Sequence, residues 1–326
     1  MNHPIISLFS GAGGMDLGFK NAGFQIVWAN EYDKAIWKTY EYNFPETQLC
    51  KKSILLVQEE EIPECIGLVG GPPCQSFSEA GAKRGTKDAR GQLFWEYIRI
   101  LKNKKPLFFV AENVSGLLAQ RHEKDLQSFI QSFEDANYNV DVQLYNTKNY
   151  GIAQDRERII FVGYRKDLHK KFSGLSKNNE EKKLMDVIGG MPEAIGVKNG
   201  KKSSNVKLSN HEYMLGGFSS MFMSRNRVRN WNERSFTILA TARQIPLHPQ
   251  APKMEKVEKD IFRFVIGKEY LYRRLSVREC ARIQTFPDTH IFEYTKIEDG
   301  YKMVGNAVPV QLAQQIANVI RDDLDF

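Results

Sequence analysis

The feature that most constrains the fold of this chain is the alternation of short apolar runs with helical patterns through its first 165 residues. Runs rich in β-branched and aromatic residues predict six strands, at 5–9, 25–29, 66–70, 107–112, 140–146 and 159–164. Helical patterns lie between several of them, at 16–23, 33–43, 93–105 and 125–137. This alternation is typical of an α/β fold with a doubly wound, mostly parallel sheet, in which ligands bind outside the carboxyl ends of the strands.

The alternation stops near residue 170, and a chain of 326 residues is long enough for a second domain. A polar, charged stretch at 169–183 predicts a linker. Turn-rich sequence with short β-like pieces such as 234–241 follows, which fits a smaller domain of mixed β and loop character at 181–275. Helical patterns return at Val277 and again over 308–324.

Composition excludes several classes of protein. No run of about 18 apolar residues is present, and the first residues lack the basic and long apolar parts of a secretory signal, so we expect a cytosolic protein. The four cysteines form no C-x-x-C pair and have no histidine at metal-ligand spacing. We therefore expect neither a disulfide framework nor a metal site.

Positive charge is concentrated in the second half of the chain. The net charge is +7, and residues 181–326 hold 23 Lys and Arg against 17 Asp and Glu. Within 221–250, Glu233 is the one acid beside five arginines, Arg225, Arg227, Arg229, Arg234 and Arg243. Arginine is suited to bidentate recognition of phosphate and guanine, so this segment predicts contact with nucleic acid.

A glycine turn follows the first strand. Gly11, Gly13 and Gly14 permit a tight turn and offer a helix N-terminus to a ligand. Glu31 lies at the end of the second strand, where open α/β sheets bind ribose hydroxyls. The two features predict a cofactor that contains adenosine, and either NAD or S-adenosylmethionine would fit.

A single cysteine follows the third clear strand within "GGPPCQSFS". Pro72 and Pro73 restrict the backbone before Cys74, and the polar segment 75–91 after it predicts a movable loop. Further polar residues flank later strands, namely Glu112 in "AENV" and Gln154, Arg156 and Arg158 in "QDRER". A thiol, a carboxyl group and arginines on neighbouring strand ends could bind and polarise a planar heterocycle.

The motifs "FSGAGG", "NEYD", "GGPPCQSFS", "AENV", "QDRER", "RRLSVRECARIQTFP" and "GNAVP" occur in an order that resembles the DNA (cytosine-5)-methyltransferase family. The resemblance extends over nearly the whole chain. Residues 221–252 further resemble bacterial restriction-modification methyltransferases that recognise GGCC. The resemblance implies that the C-terminal helix returns to the first domain. The catalytic, cofactor-binding domain would then comprise 1–180 plus 301–326, with target recognition at 181–275 and a hinge at 276–300.

The resemblance also implies an activity, transfer of a methyl group from S-adenosylmethionine to C5 of a flipped-out cytosine in duplex DNA. Cys74 would attack C6, Glu112 would hold the ring, and Arg156 and Arg158 would complete the catalytic set. The implied cofactor contacts are Phe9, Ser10, Gly11, Gly13, Gly14, Glu31, Tyr32, Ser53, Ile54, Gly71, Leu93, Asn306 and Val308. The implied DNA contacts are Gln75, Ser76, Ser78, Arg90, Arg225, Arg227, Arg229 and Arg243.

One position departs from the family pattern. Where the family usually has Gly-Asp-Ile, this chain has Lys52 and Ser53 before Ile54, which predicts weaker cofactor binding. Three alternatives stay open at this point. They are a tRNA cytosine methyltransferase of the same fold, a nicotinamide-dependent oxidoreductase, and a non-catalytic DNA-binding module. A restriction endonuclease that acts on the same site is the expected partner.

Overall fold

A computed structural model describes residues 3–73, 89–178, 180–198 and 208–326, with only the backbone of 89–91. Its main sheet has seven strands in the order β3-β2-β1-β4-β5-β7-β6. All are parallel except β7, which is antiparallel to both neighbours. The strands are β1 His3–Leu8, β2 Phe24–Asn30, β3 Gln48–Cys50, β4 Gly67–Gly70, β5 Phe108–Val114, β6 Tyr138–Asn146 and β7 Glu157–Arg165. The predicted α/β class is confirmed.

The short edge strand β3 is the strand of this sheet that the sequence pattern missed. It has three residues, Gln48, Leu49 and Cys50, and none of them is buried. A run so short and so exposed shows no alternation of apolar and polar residues. It becomes a strand through its parallel pairing with β2.

Helices cover both faces of the sheet because successive strand residues point to opposite sides. Ile5 packs with Phe19 and Leu312 on the face covered by α1 and α8. Ile6 packs with Phe94 and Phe133 on the face covered by α3 and α4. The helices of this part are α1 Gly14–Asn21, α2 Lys34–Asn43, α3 Ala89–Lys104, α4 Glu123–Asp135 and the last helix, α8 Val310–Asp323.

The C-terminal helix α8 closes one face of the sheet. Leu312, Ile316 and Ile320 are almost fully buried in the same core as the first strand. The hydroxyl of Tyr164 on β7 donates a hydrogen bond to Asp323 at 2.8 Å. Residues from the two ends of the chain therefore share one hydrophobic core.

Between the sheet and α8, the described part of the chain forms short elements. They are α5 Leu184–Ile188, β8 Ile195–Val197, β9 Glu212–Met214, β10 Glu255–Glu258, β11 Ile261–Arg263, α6 Val277–Ile283 and α7 Ile297–Asn306. Strands β8 and β9 form one two-stranded sheet, and β10 and β11 form another. The three helices pack with Ile238 and Ile245 in a second core, and Phe222, Val228 and Met254 belong to a smaller one.

The β-like piece at 234–241 was predicted wrongly as strand. Its one β-type pairing is an isolated bridge between Ser235 and Gln154. Ser235 N–H donates to the carbonyl of Ala153, and Asp155 N–H donates to the carbonyl of Ser235. The segment is apolar because it packs against the 153–156 loop and the second core, and not because it joins a sheet.

Candidate active site

The carboxyl ends of β1, β4 and β5 open into a cavity of about 680 Å³. This volume lies within the range typical of ligand sites. Ten of the predicted catalytic and cofactor-binding residues line it: Phe9, Ser10, Gly11, Gly14, Glu31, Gly71, Glu112, Arg158, Asn306 and Val308. Fold topology thus brings one group of predicted cofactor contacts together with two predicted catalytic residues.

The glycine turn forms one wall of this cavity. Gly11 and Gly13 have φ angles of +55° and +81°, a region that favours glycine, and helix α1 begins at Gly14. Phe9 also has a positive φ, 54°, which is strained for a bulky residue. The hydroxyl of Ser10 is buried and has no hydrogen-bond partner within the described part of the chain. This orphaned hydroxyl in the cavity wall is a ready contact for a polar ligand.

Glu31 joins the turn to the second strand. Its carboxylate accepts the N–H of Gly11 at 2.9 Å and the N–H of Asp33 at 2.7 Å. Burial raises the pKa of Glu31, and these two hydrogen bonds oppose the rise. Beside it, Asp33 forms an ion pair of 2.6 Å with Lys302 of α7, and both residues line the cavity. The carboxylate is therefore held rigidly at the ligand-facing end of the strand.

Asp16 is a cavity residue that the sequence analysis did not single out. It is fully buried in α1 and accepts hydrogen bonds from Ser7 Oγ at 2.7 Å and Tyr40 OH at 2.6 Å. Burial raises its pKa to about 6. The one sequence clue was its position two residues after the last glycine of the turn, which by itself also suits an ordinary acid in a helical first turn.

Glu112 and Arg158 form an ion pair at the other side of the cavity. Arg158 Nε lies 2.7 Å from Glu112 Oε1, and both side chains are largely buried. Val114 of β5 lies opposite Arg158 of β7, so Glu112 and Arg158 are diagonal neighbours on one face of the sheet. The pair presents a carboxylate and a guanidinium together, which can accept from and donate to one flat polar ring.

The segment that leads to Cys74 is held against this pair. Asn113 Nδ2 donates to the carbonyl of Pro72 at 2.8 Å. A Cβ at Gly71 would lie 3.2 Å from Glu112 Oε2, so glycine permits the close approach. Asn113 is a second residue that the sequence analysis missed, although it lies inside the quoted "AENV". Cys74, Gln75, Ser76, Ser78 and the side chain of Arg90 lie outside the described residues.

The profile of C-5 cytosine-specific DNA methylases matches residues 4–322 of the chain. The chain belongs to this family. It is 54% identical to the type II methyltransferase M.FnuDI of Fusobacterium nucleatum, across 98% of this chain and 94% of that protein. It is 51% identical to M.MthTI of Methanothermobacter thermautotrophicus, across 100% and 99% of the two chains. The structure of the Entamoeba histolytica methyltransferase EhMeth shares the fold, with a TM-score of 0.71 and 16% identity over 99% of each chain.

The chain is therefore a DNA (cytosine-5)-methyltransferase, and its family and fold imply an S-adenosylmethionine-type methyl donor. The cavity fits such a group on three counts. Its volume is sufficient, Glu31 offers a carboxylate for hydroxyls, and Ser10 offers a buried hydroxyl that has no partner among the described residues. In the described residues, no three His, Cys, Asp or Glu side chains are grouped to hold a metal ion. Across the same residues no helix is long and apolar enough to cross a membrane.

Arg156 of the methyltransferase does not reach the cavity. It is 1% exposed, and its guanidinium donates to the carbonyls of Ile238, Gly305 and Ala307 at 2.9 to 3.0 Å. Burial lowers its pKa. The structure does not bring Arg156 together with Glu112 and Arg158, because its donors point to the backbone of distant segments, and its place in the catalytic set stays a prediction.

Five predicted cofactor contacts do not line the cavity: Gly13, Tyr32, Ser53, Ile54 and Leu93. Gly13 caps α1, and Tyr32 is 69% exposed. Ile54 is buried in the core behind the sheet, and Leu93 packs against that core. Ser53 caps the short helix Ile54–Leu56 without a side-chain hydrogen bond. Their contacts with cofactor stay predictions.

The arginines of the 221–250 segment divide into two groups. Arg227 is buried, donates to Phe222 O at 2.8 Å and Gln244 Oε1 at 3.0 Å, and has its pKa lowered by burial to about 10. Arg229 stacks on the ring of Phe236 and pairs with Glu233 at 3.3 Å. Arg225 and Arg243, in contrast, are exposed.

A second cavity of about 470 Å³ lies next to these arginines. Its walls include Arg158 from the first cavity, Arg225, Arg227 and Arg229 from the segment, and Leu239. Arg158 belongs to both cavities. The basic segment and the Glu112–Arg158 pair therefore face adjoining spaces.

Proposed function

We propose that this methyltransferase modifies C5 of a flipped-out cytosine in a short duplex DNA site, with GGCC favoured, as the modification enzyme of a restriction-modification system. The observation that carries the proposal is the Glu112–Arg158 pair, which shares one cavity with the glycine turn and Glu31. The resemblance of 221–252 to GGCC-recognising enzymes supports the target.

The proposed reaction uses a thiol from the sequence and a carboxylate from the cavity. The Cys74 thiolate forms a bond to C6 of the cytosine, and the ring electrons move to C5. C5 takes the methyl group, and the electrons of the broken carbon–sulfur bond stay on the departing thioether. Loss of the proton from C5 to a base then restores the double bond and expels Cys74.

Glu112 and Arg158 would hold the flipped base during these steps. The carboxylate would accept from the exocyclic amino group and stabilise a proton at N3, and the guanidinium would donate to O2. Asn113 holds Pro72, which sets the approach of the segment that carries Cys74. S-adenosylmethionine, when bound, supplies the electrophilic methyl group. Its proposed holders in the cavity are Phe9, Ser10, Gly11, Gly14, Glu31, Gly71, Asn306 and Val308.

The segment with exposed arginines would bind the duplex. Flipping a base costs a few kcal/mol, which contacts to phosphates and bases must offset. We assign reading of the site to Arg225 and Arg243, which are exposed, and a supporting role to Arg227 and Arg229. The proposal retains the catalytic domain at 1–180 plus 301–326, target recognition at 181–275 and a hinge at 276–300. It retains loop closure for 75–88, which lie outside the described residues, whereas 89–91 of the predicted loop begin helix α3.

Bisulfite sequencing of a plasmid carried with this gene, in a bacterial host without other cytosine methylation, tests the proposal. We expect protected cytosines within GGCC sites and none in the Cys74→Ser variant. A cognate restriction endonuclease should fail to cut the protected plasmid. Transfer of labelled methyl groups to tRNA and not to duplex DNA, or full protection by Cys74→Ser, would contradict the proposal.

A further inference from the structure

Three polar side chains are buried together between the sheet, the basic segment and the cofactor cavity. The basic segment is residues 221–250, and the cofactor cavity is the cavity of about 680 Å³ whose walls include Glu31 and Glu112. Gln154, Arg156 and Gln284 are each at most 1% exposed. Gln154 Nε2 donates to Gln284 Oε1 at 2.6 Å. We call these three residues the buried polar cluster. Polar groups buried to this extent cost free energy unless they are hydrogen-bonded, so their partners are strongly determined.

On one side, the cluster and the 153–156 loop form hydrogen bonds with residues 237–238 of the basic segment. Gln154 Oε1 accepts the N–H of Ile238 at 2.8 Å, and Arg156 Nη1 donates to the carbonyl of Ile238 at 2.9 Å. Thr237 Oγ1 donates to the carbonyl of Asp155 at 2.7 Å. Both backbone polar groups of Ile238 are therefore committed to the cluster.

On the other side, the cluster holds the C-terminal end of α7. Arg156 Nη2 donates to the carbonyls of Gly305 and Ala307 at 2.9 and 3.0 Å. Gln284 Nε2 donates to the carbonyls of Val304 and Ala307 at 2.9 and 3.0 Å. Ala307 lines the cofactor cavity, and so do its neighbours Asn306 and Val308.

Steric contact joins the same two segments directly. A Cβ at Gly305 would lie 2.4 Å from backbone atoms of Leu239 and Ala240. Leu239 lines the second cavity, beside the arginines, whereas Asn306, the residue after Gly305, lines the cofactor cavity. The gap between the two segments is too small for even one methyl group. If one segment moves, it must therefore displace the other or break hydrogen bonds of the buried polar cluster.

We infer that Arg156 and Gln284 are positioning residues that couple DNA binding at the basic segment to cofactor binding at residues 305–308. DNA that fixes Ile238 and Leu239 also fixes the carbonyls of Gly305 and Ala307, and cofactor does the reverse. Each ligand therefore raises the affinity for the other by the same factor. This inference rests on the proposed DNA site and cofactor cavity.

Calorimetric titration with S-adenosylhomocysteine, which cannot methylate, tests the coupling with and without a duplex that contains GGCC. The ratio of the two Kd values is the coupling factor, expected to be about tenfold in the unmodified protein. In Arg156→Lys and in Gln284→Met it should fall below about threefold, because neither replacement can bridge the same carbonyls.

Arg278→Lys is the matched control. Arg278 is as buried as Arg156 and donates to the carbonyls of Ser209, Pro287 and His290, yet it contacts neither of the two coupled segments. Its replacement should lower the melting temperature while the coupling factor stays near that of the unmodified protein. This separates coupling from a general loss of stability.

Several outcomes would overturn the inference. One is an unchanged coupling factor in Gln284→Met, which decides the matter if Arg156→Lys does not fold. Another is a coupling factor of one in the unmodified protein, when that protein binds both ligands. Failure of the unmodified protein to bind either ligand would instead contradict the proposed function, and the coupling with it.

Discussion

The sheet region and the basic segment satisfy their backbone polar groups in different ways. In residues 3–165, seven strands pair their N–H and C=O groups with one another. In residues 208–275, the described strands are three or four residues long, and the side chains of Arg227, Arg273 and Arg274 donate to several backbone carbonyls. Arg274, for example, donates to the carbonyls of Met214, Gly216 and Gly217. Arginine in this second region is a structural residue as well as a proposed ligand for DNA.

This difference shows that a cluster of arginines in a sequence contains both structural residues and residues that are available to a ligand. A count of arginines in the sequence treats Arg225 and Arg227 alike. Burial separates them, because a guanidinium that already donates to protein carbonyls has few donors left for a base. In the sheet region Glu31, Glu112 and Arg158 lie at or near the ends of strands, so strand prediction alone locates these three residues.

The largest expected effect tests the sheet region. Glu112→Gln removes the charge that is proposed to hold the base and leaves the side-chain shape, so we expect the single-turnover rate constant to fall about 10² to 10³-fold. Single-turnover methylation of a GGCC duplex measures this. Glu134→Gln, on the exposed face of α4, is the control and should retain normal turnover. A near-normal rate in Glu112→Gln would remove Glu112 from the mechanism.

The next effect tests the division among arginines. Arg227→Ala leaves the Phe222 carbonyl and Gln244 without their donor, so the free energy of unfolding should fall by about 3 kcal/mol. Arg225→Ala should change it by less than about 0.5 kcal/mol, because that side chain is exposed. Urea denaturation measures both.

In DNA binding we expect the opposite order, with a larger loss of duplex affinity in Arg225→Ala than in Arg227→Ala. Arg225→Ala should weaken binding to a GGCC duplex by about 1 to 3 kcal/mol relative to a scrambled duplex. Equal stability losses in the two variants would contradict the division. Unchanged discrimination in Arg225→Ala would remove that residue from site reading.

The sheet region also contains a buried acid, Asp16, whose effect on the free energy of unfolding depends on pH. The pKa of Asp16 is raised by burial from 3.8 to about 6, so folded Asp16 stays protonated while unfolded Asp16 ionises as pH rises. Its contribution to stability is therefore lost between pH 3.8 and about 6. Relative to Asp16→Asn, the unmodified protein should lose about 2 kcal/mol of unfolding free energy from pH 4.5 to 7. Denaturation at both pH values measures this, and a constant difference would contradict it.

The smallest effects distinguish two serines. Ser10→Ala removes the cavity-wall hydroxyl that has no partner in the described part of the chain, and it should raise the Kd for S-adenosylhomocysteine about fivefold. Ser53→Ala, outside the wall, should change it less than about twofold. Calorimetric titration of both variants measures this. A larger effect at Ser53 would restore the contact implied by its place in the family pattern.

Much of the architecture and part of the site could be predicted from the sequence. Strand and helix periodicity is local, so the six predicted strands and the main helices of the sheet region were visible. Glycine turns and strand ends are local too, which explains why Glu31, Glu112 and Arg158 were found. The edge strand β3 and the segment 234–241 were missed or mistaken because pairing partners elsewhere in the chain decide their structure.

By itself the sequence determined which residues could do chemistry and where along the chain they occur. Tertiary structure alone decided which of them meet. Arg156 hydrogen-bonds Ile238 and Gly305, which lie 82 and 149 residues away, and Ser7 and Tyr40 donate hydrogen bonds to the buried Asp16. Such contacts depend on packing between distant segments, and burial then decides whether an arginine supports the fold or stays free for a ligand.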